Sequence, residues 1–274
     1  MWQPSQSLKR RLLKEFWYLV AGGLAFLIYT EFLGPRLMPV LEAHRIASVG
    51  PQVNVVLQPL TDLAPSTGAG ATITAYGNTF EVPWKNITWQ RVEHDSTIVG
   101  FASDRGIWIR SPKYKYNGTR LEAIPDDKSA SGAQLHALFD DDQNKSAFDQ
   151  EFTTLNLTPG QIRFFDSPRI SAKQVILLFD KAIVEGEELK NGAYEFQTPS
   201  VRGFQIGNPA SFSRTRLHFF DSTGNSLGEL ICLFGKGPSA RGTQADLNRI
   251  IQTFHPLANS AATAPPSDSL AATH

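Results

Sequence analysis

Cysteine is nearly absent from this 274-residue chain, which carries Cys232 alone inside the apolar run Leu230 to Phe234. No intramolecular disulfide can form, and the expected role of that thiol is a small buried hydrophobe. An excess of one charge sign is missing too: Lys and Arg number 26, Asp and Glu number 26, and charged residues make up only 19% of the chain. A nucleic-acid binder carries a basic excess, and a solvating disordered chain carries high net charge with few aromatics. Here aromatics reach 11% with 18 Phe, which argues against both. Catalytic signatures are also lacking. The six histidines form no HExxH or paired zinc spacing, and no serine is framed as G-x-S-x-G. The stretch Gly235 to Ala240 fits G-x-G-x-x-A, but the helix after it runs into Pro256 with no second parallel strand. No nucleotide and no cofactor is therefore expected.

What is present begins at the N-terminus. Lys9, Arg10, Arg11 and Lys14 precede Phe16 to Leu33, an apolar stretch whose only charge is Glu31. As a helix those residues would be roughly 27 Å long, close to a hydrocarbon core of about 30 Å. Trp17, Tyr18 and Tyr29 stand near its ends, and Gly34-Pro35 is the expected stop. The expectation is one transmembrane helix that holds residues 1–15 in the cytoplasm as a basic tail and the remainder outside it. A cleaved secretory signal would need a shorter apolar region and a small-x-small site, which the flank does not offer. Between 34 and 70, Pro39, Pro51, Pro59 and Pro65 predict a Pro-interrupted tether.

From Ala71 the apolar period becomes two. ATITAY, TFEV, ITWQRVE, TIVGF and GIWIR predict five short strands, and two helices follow, Ala133 to Phe139 and one capped by Ser146 with Asp149 three residues on. Residues 71–160 thus read as one β-rich unit. A second, 161–256, has strand-like runs at Ile162 to Phe165, Gln174 to Phe179, Ala193 to Gln197, Val201 to Ile206, Thr215 to Phe220 and Leu227 to Phe234. Asp221 to Asn225 reads as a hairpin turn, and Thr243 with Asp246 opens a closing helix. Residues 257–274 read as a disordered tail. The expected fold class is α+β and mainly antiparallel, a meander with partly closed, barrel-like halves that each end in a helix.

Three clusters could carry a ligand. Arg105, Trp108, Arg110, Lys113, Tyr114, Lys115, Tyr116 and Arg120 interleave cations with aromatics, which suits an anionic headgroup or an acidic partner surface, while the same lysines could simply guard a strand edge. Lys236 and Arg241 beside Thr243 could hold a small anion at a helix start. Asp140, Asp142, Asn144 and Glu151 occupy positions 1, 3, 5 and 12 of a calcium loop, but Lys145 replaces the glycine at position 6 and Ser146 already caps a helix. Strand-end carboxylates Asp166, Asp180 and Asp221, with Glu195 and His218, could converge in an enzyme of hydrolase type.

The turn and the stretch Phe80-Glu81-Val82-Pro83-Trp84-Lys85-Asn86-Ile87, followed by short strands and a helix, resemble bacterial pleckstrin-homology-like domains carried on membrane anchors. The likeness spans about residues 72–157. It implies a binding or scaffold module rather than an enzyme. The resulting expectation is a membrane-anchored, extracytoplasmic binding or scaffolding protein, its partners the membrane through Phe16 to Leu33 and another envelope protein or an anionic headgroup, with an envelope enzyme as the competing class.

Overall fold

The protein is seen here as a computed structural model that describes residues 20, 22, 24, 26–112, 137–139, 144–184, 187–211, 213–235 and 242–257. Eight strands form one open sheet in the order β1-β7-β8-β9-β10-β6-β5-β4. They are β1 Leu57–Pro59, β4 Ile87–Val92, β5 Ser96–Phe101, β6 Gly106–Arg110, β7 Ala193–Gln197, β8 Arg202–Ile206, β9 Arg214–Phe220 and β10 Ser226–Leu233. Every neighbour is antiparallel except β1, which runs parallel to β7. A smaller sheet holds β2 Ala71–Ala75, β3 Asn78–Val82 and β11 His255–Pro256.

The mainly antiparallel α+β class is present, but the barrel-like halves are not. β6 pairs with β10, so strands from both predicted halves share one sheet. Among the described residues that sheet is open, because its two end strands, β1 and β4, pair with one neighbour each.

The main core lies between one face of the large sheet and a cover made by the small sheet and α4, Gln244–Thr253. Val99, Ile107, Leu217, Phe219, Leu230 and Cys232 meet Phe80, Val82, Leu247, Ile250 and Phe254 there. The rings of Phe219 and Phe254 stack at 3.8 Å, a contact that adds about 1 kcal/mol to the area each ring buries. On the opposite face, helix α2, Ala147–Asn156, lays Phe148 and Leu155 against Phe204, Ile206 and Phe220. Both predicted caps are in place: Ser146 Oγ accepts from the Asp149 N–H and Thr243 Oγ1 from the Asp246 N–H.

The transmembrane helix expected over Phe16 to Leu33 is corrected: among the described residues no helix is long and apolar enough to cross a membrane. Nor does the chain break at Gly34-Pro35. A π-helical turn, Tyr29–Leu33, leads into α1, Gly34–Val49, and this wider turn just before Pro35 shifts the hydrogen-bond ladder where the proline has no N–H to give. Arg36, Glu42 and Arg45 therefore share a helix with the apolar residues before them. Phe26, Leu27, Ile28 and Phe32 are exposed, whereas Ala43 and Ile46 are buried in one cluster with Leu177 and Leu178.

Helix α3, Pro168–Val184, overturns a strand prediction, since Gln174 to Phe179 lies inside it. The five-residue apolar run Val175 to Phe179 fits either state, and its surroundings decide. Ser167 Oγ accepts from the Ile170 N–H, Pro168 opens the first turn, and Leu177, Leu178 and Lys181 bury one side. Ile162 to Phe165 is likewise no strand; its first residue ends a 3-10 turn, Pro159–Gln161.

Lys181 is fully buried, and its ammonium donates to Val55 O at 2.6 Å, Leu155 O at 2.7 Å and Leu157 O at 2.8 Å. One cation thus satisfies carbonyls at the C-terminal end of α2 and ties them to the segment entering β1. Lys181→Met keeps the apolar stem but removes the donors. It should destabilise the fold by about 3 kcal/mol, measured by urea unfolding, because desolvated carbonyls lose their partner.

Candidate functional site

Strand β9 reads Arg-Thr-Arg-Leu-His-Phe-Phe, so the pleat sends Arg214, Arg216 and His218 to one face and Thr215, Leu217 and Phe219 to the other. The second set enters the main core. The first meets acids brought by three other elements. Register places Glu229 of β10 opposite His218, and Arg110 of β6 opposite Glu229. That alignment depends on a bulge between Ser226 and Gly228. Gly228 has φ 125°, and a Cβ there would lie 2.6 Å from Arg110 O, so only glycine fits. Glu151 comes from α2, and Glu188 from the 3-10 turn Glu187–Asn191 before β7.

The result is a buried ionic chain. Arg110 Nη1 donates to Glu229 Oε2 at 2.7 Å while its guanidinium lies 4.2 Å from the Trp108 ring centre. His218 Nε2 donates to Glu229 Oε1 at 3.2 Å, and Nδ1 donates to Glu151 Oε1. Arg216 reaches Glu229 at 3.7 Å and Glu188 at 3.3 Å, and Arg214 also pairs with Glu188. Glu188 is fully buried, and its Oε2 has no hydrogen-bond partner among the described residues.

Burial disfavours the charged form of His218, but the adjacent Glu151 and Glu229 carboxylates outweigh it and hold the imidazole well above its usual range. Burial also opposes the Glu229 anion; the hydrogen bond and charge of His218, with Arg110 and Arg216, bring it down to about 2. Both imidazole nitrogens are donating, so the ring has no lone pair left for a general base or a metal. This chain of charges is suited to holding elements together.

Of the cation and aromatic patch, Arg105, Trp108 and Arg110 are described, and Arg110 spends its charge on Glu229. Lys113, Tyr114, Lys115, Tyr116 and Arg120 lie outside the described residues. At the α4 start the Thr243 N–H donates to Asp246 Oδ2 at 3.2 Å, so a carboxylate of the chain already occupies that end; Lys236 and Arg241 lie outside the described residues. In the calcium-loop candidate Asp140 and Asp142 also lie outside them, and Glu151 sits on α2 facing His218 rather than Asn144. Among the described residues no group of three or more His, Cys, Asp or Glu is arranged to hold a metal. The strand-end acids do not gather round His218. Asp166 accepts from the Arg163 N–H, Asp221 closes the β9–β10 turn through Thr223 and Asn225, Asp180 is on α3, and Glu195 lies opposite Phe204 on β7.

The two ends of the sheet differ. At β1 the Leu57 N–H is met by Asn156 Oδ1 of α2 at 3.3 Å. At the other end β4 is exposed at every position, with Trp89 52% and Val92 66% accessible. The Glu93 N–H donates to Ser96 O, which closes the β4–β5 hairpin. Alternation from that pair turns the N–H and C=O of Trp89 and Arg91 toward β5 and those of Gln90 and Val92 outward, and it ends at a register shift between Ile87 and Trp89. Trp89 lies flat across Gly100, where a Cβ would come within 2.1 Å of its Nε1. Missing side-chain bulk on β5 thus gives the indole a fixed seat beside an open backbone edge.

Sequence reasoning missed Glu229, Glu188, Arg214 and Arg216. The available signals were the alternation of basic and apolar residues along β9 and one acid inside the apolar run from Leu227 to Phe234.

The pH dependence of the ionic chain has a definite sign. The raised His218 pKa gives stability that is full below about pH 6.5 and is lost as pH rises through the folded value. The lowered Glu229 pKa gives stability that is full above about pH 4.5 and is lost as pH falls toward about 2. His218→Gln should cost about 3 kcal/mol at pH 6, with the gap to the wild type narrowing as pH rises. Urea unfolding of both proteins across pH checks this, and a gap independent of pH would contradict it.

Comparison with known protein families, with curated proteins and with solved structures gives no match to this chain.

Proposed function

We propose that the chain is a non-catalytic binding module that accepts an extended segment of a partner on the free edge of β4. The observation that carries this reading is the contrast between the closed ionic chain and the open edge strand. His218 meets a carboxylate at each ring nitrogen, whereas Gln90 and Val92 turn backbone donors and acceptors away from β5. Strand addition draws its affinity from main-chain hydrogen bonds and its selectivity from alternate side chains. Trp89 offers an aromatic seat on one face of β4, and Val92 an apolar contact on the other.

The test is an NMR titration of the full chain with a panel of peptides that alternate apolar and polar residues. Binding peptides should shift and protect the Gln90 and Val92 amides and leave those of Trp89 and Arg91 protected throughout. Gln90→Pro should abolish the binding with little loss of stability, since it removes an N–H that no internal strand uses. Absence of any shift at β4 across the panel would overturn the reading.

A further inference from the structure

We infer that the end of the molecule formed by the start of α1, the helical residues before it and the turn 162–167 is a docking surface for an anionic lipid bilayer, seated in one leaflet. Phe26, Leu27, Ile28 and Tyr29 are successive helical residues, each turned about 100° from the last, and all four are exposed. Every side of that helix is therefore bare. Thr30 turns its hydroxyl back on Phe26 O at 3.0 Å, so it adds no polar group seeking water. Leu37, Met38 and Leu41 continue the exposed apolar side chains along the solvent face of α1. A groove in a partner protein covers one side of a helix, whereas a lipid phase covers all of them.

A separate element offers apolar side chains at the same end. Phe165 is 85% accessible, with the Phe164 ring edge-on at 5.3 Å, and Ile170 in the first turn of α3 is exposed as well. A ring held so far out contributes little to the fold, and its transfer to an apolar phase is worth about 2 kcal/mol. Helices α1 and α3 run side by side in one direction: Gln52 Nε2, just past α1, donates to Ala182 O at 3.0 Å, while Val40, Ala43 and Ile46 share a cluster with Val175, Leu177 and Leu178. Counting back along both helices from that tie brings the start of α3 beside the first turns of α1. Phe165 and Ile170 thus lie at the same end of the molecule as Phe32 and Leu33.

Charge selects the lipid. Exposed Arg163 and Arg169 flank Phe165 in sequence, and Arg36 lies 5.5 Å from the Phe32 ring centre. Asp166, the acid of that turn, accepts from the Arg163 N–H at 3.0 Å, and Glu31 is the acid of the apolar stretch. Lys9, Arg10, Arg11 and Lys14, with the acid Glu15, come before that stretch in the sequence. Cations in excess around exposed aromatic and aliphatic side chains suit the headgroup zone of anionic lipids, where rings enter the acyl boundary and guanidiniums meet phosphate.

Flotation of the full-length chain with vesicles tests this. One set is phosphatidylcholine alone, and the other is phosphatidylcholine and phosphatidylglycerol in equal parts. The chain should partition about tenfold better onto the mixed vesicles. Phe165→Ser should weaken that binding about tenfold while leaving urea unfolding unchanged, because the ring is already outside the core. Phe32→Ser, acting from the other element, should weaken it to a similar extent. Arg163→Gln should weaken binding to the mixed vesicles about fivefold and leave partition onto phosphatidylcholine as it was. Equal partition onto both vesicle types overturns the inference, as does binding that Phe165→Ser leaves intact. Self-association of the chain without flotation gives the surface to a second copy and overturns it too.

Discussion

Glu229 is almost wholly buried in the middle of an eight-stranded sheet, and an uncompensated carboxylate there would cost several kcal/mol. The neighbouring strands therefore have to bring cations to it. β9 supplies His218 and Arg216, β6 supplies Arg110, and each arrives only if its strand is in the observed register. A one-residue slip of β9 would present Thr215, Leu217 and Phe219 to Glu229 and push two arginines into the aromatic core. The charges thus act as a register key. They also recruit the layers outside the sheet, since Glu151 ties α2 to His218 and Glu188 ties the turn before β7 to Arg214 and Arg216.

The opposite face is held by a different physics. Phe219, Phe254, Phe80 and Phe196 pack by area and ring geometry, and their contacts tolerate small shifts that an ion pair would not. The sheet therefore separates two tasks: apolar burial on the main-core face and under α2 supplies driving force, and the ionic chain selects which arrangement of strands that burial stabilises. Lys181 plays the selecting part for the helical layer, where three carbonyls from two separate segments converge on one ammonium.

Local chemistry made much of this fold legible from the amino-acid sequence. Ser146 and Thr243 cap helices because a side-chain oxygen three residues before an N–H is a short-range fact, and Asp221 to Asn225 turns for the same reason. Gln174 to Phe179 was not legible, because a short apolar run suits a buried strand and a buried helix alike, and burial against α1 is a tertiary fact. The continuation past Gly34-Pro35 depends on a π-helical turn that composition does not announce. Individual charges of the ionic chain stood in plain view, yet Arg110 read as a surface cation because its partner Glu229 is 119 residues away. A charge's role follows from what faces it across the sheet, and pairing between β6 and β10 has no local signature.

The two edges of the sheet bear on function in unequal ways. An open edge invites unwanted pairing, and chains usually shorten it, cover it or place proline there. β1 shows all three: it is three residues long, it ends in Pro59, and Asn156 of α2 meets its outer backbone. Among the described residues β4 shows none of them, though a register shift between Ile87 and Trp89 interrupts its start. It is twice as long, carries no proline and exposes Ile87, Trp89 and Val92, while Gly100 beneath Trp89 fixes the indole in place. One edge is thus guarded by backbone and side-chain devices, while the other joins a register shift at its start to an exposed, seated indole. That asymmetry is what the proposed strand addition at β4 rests on.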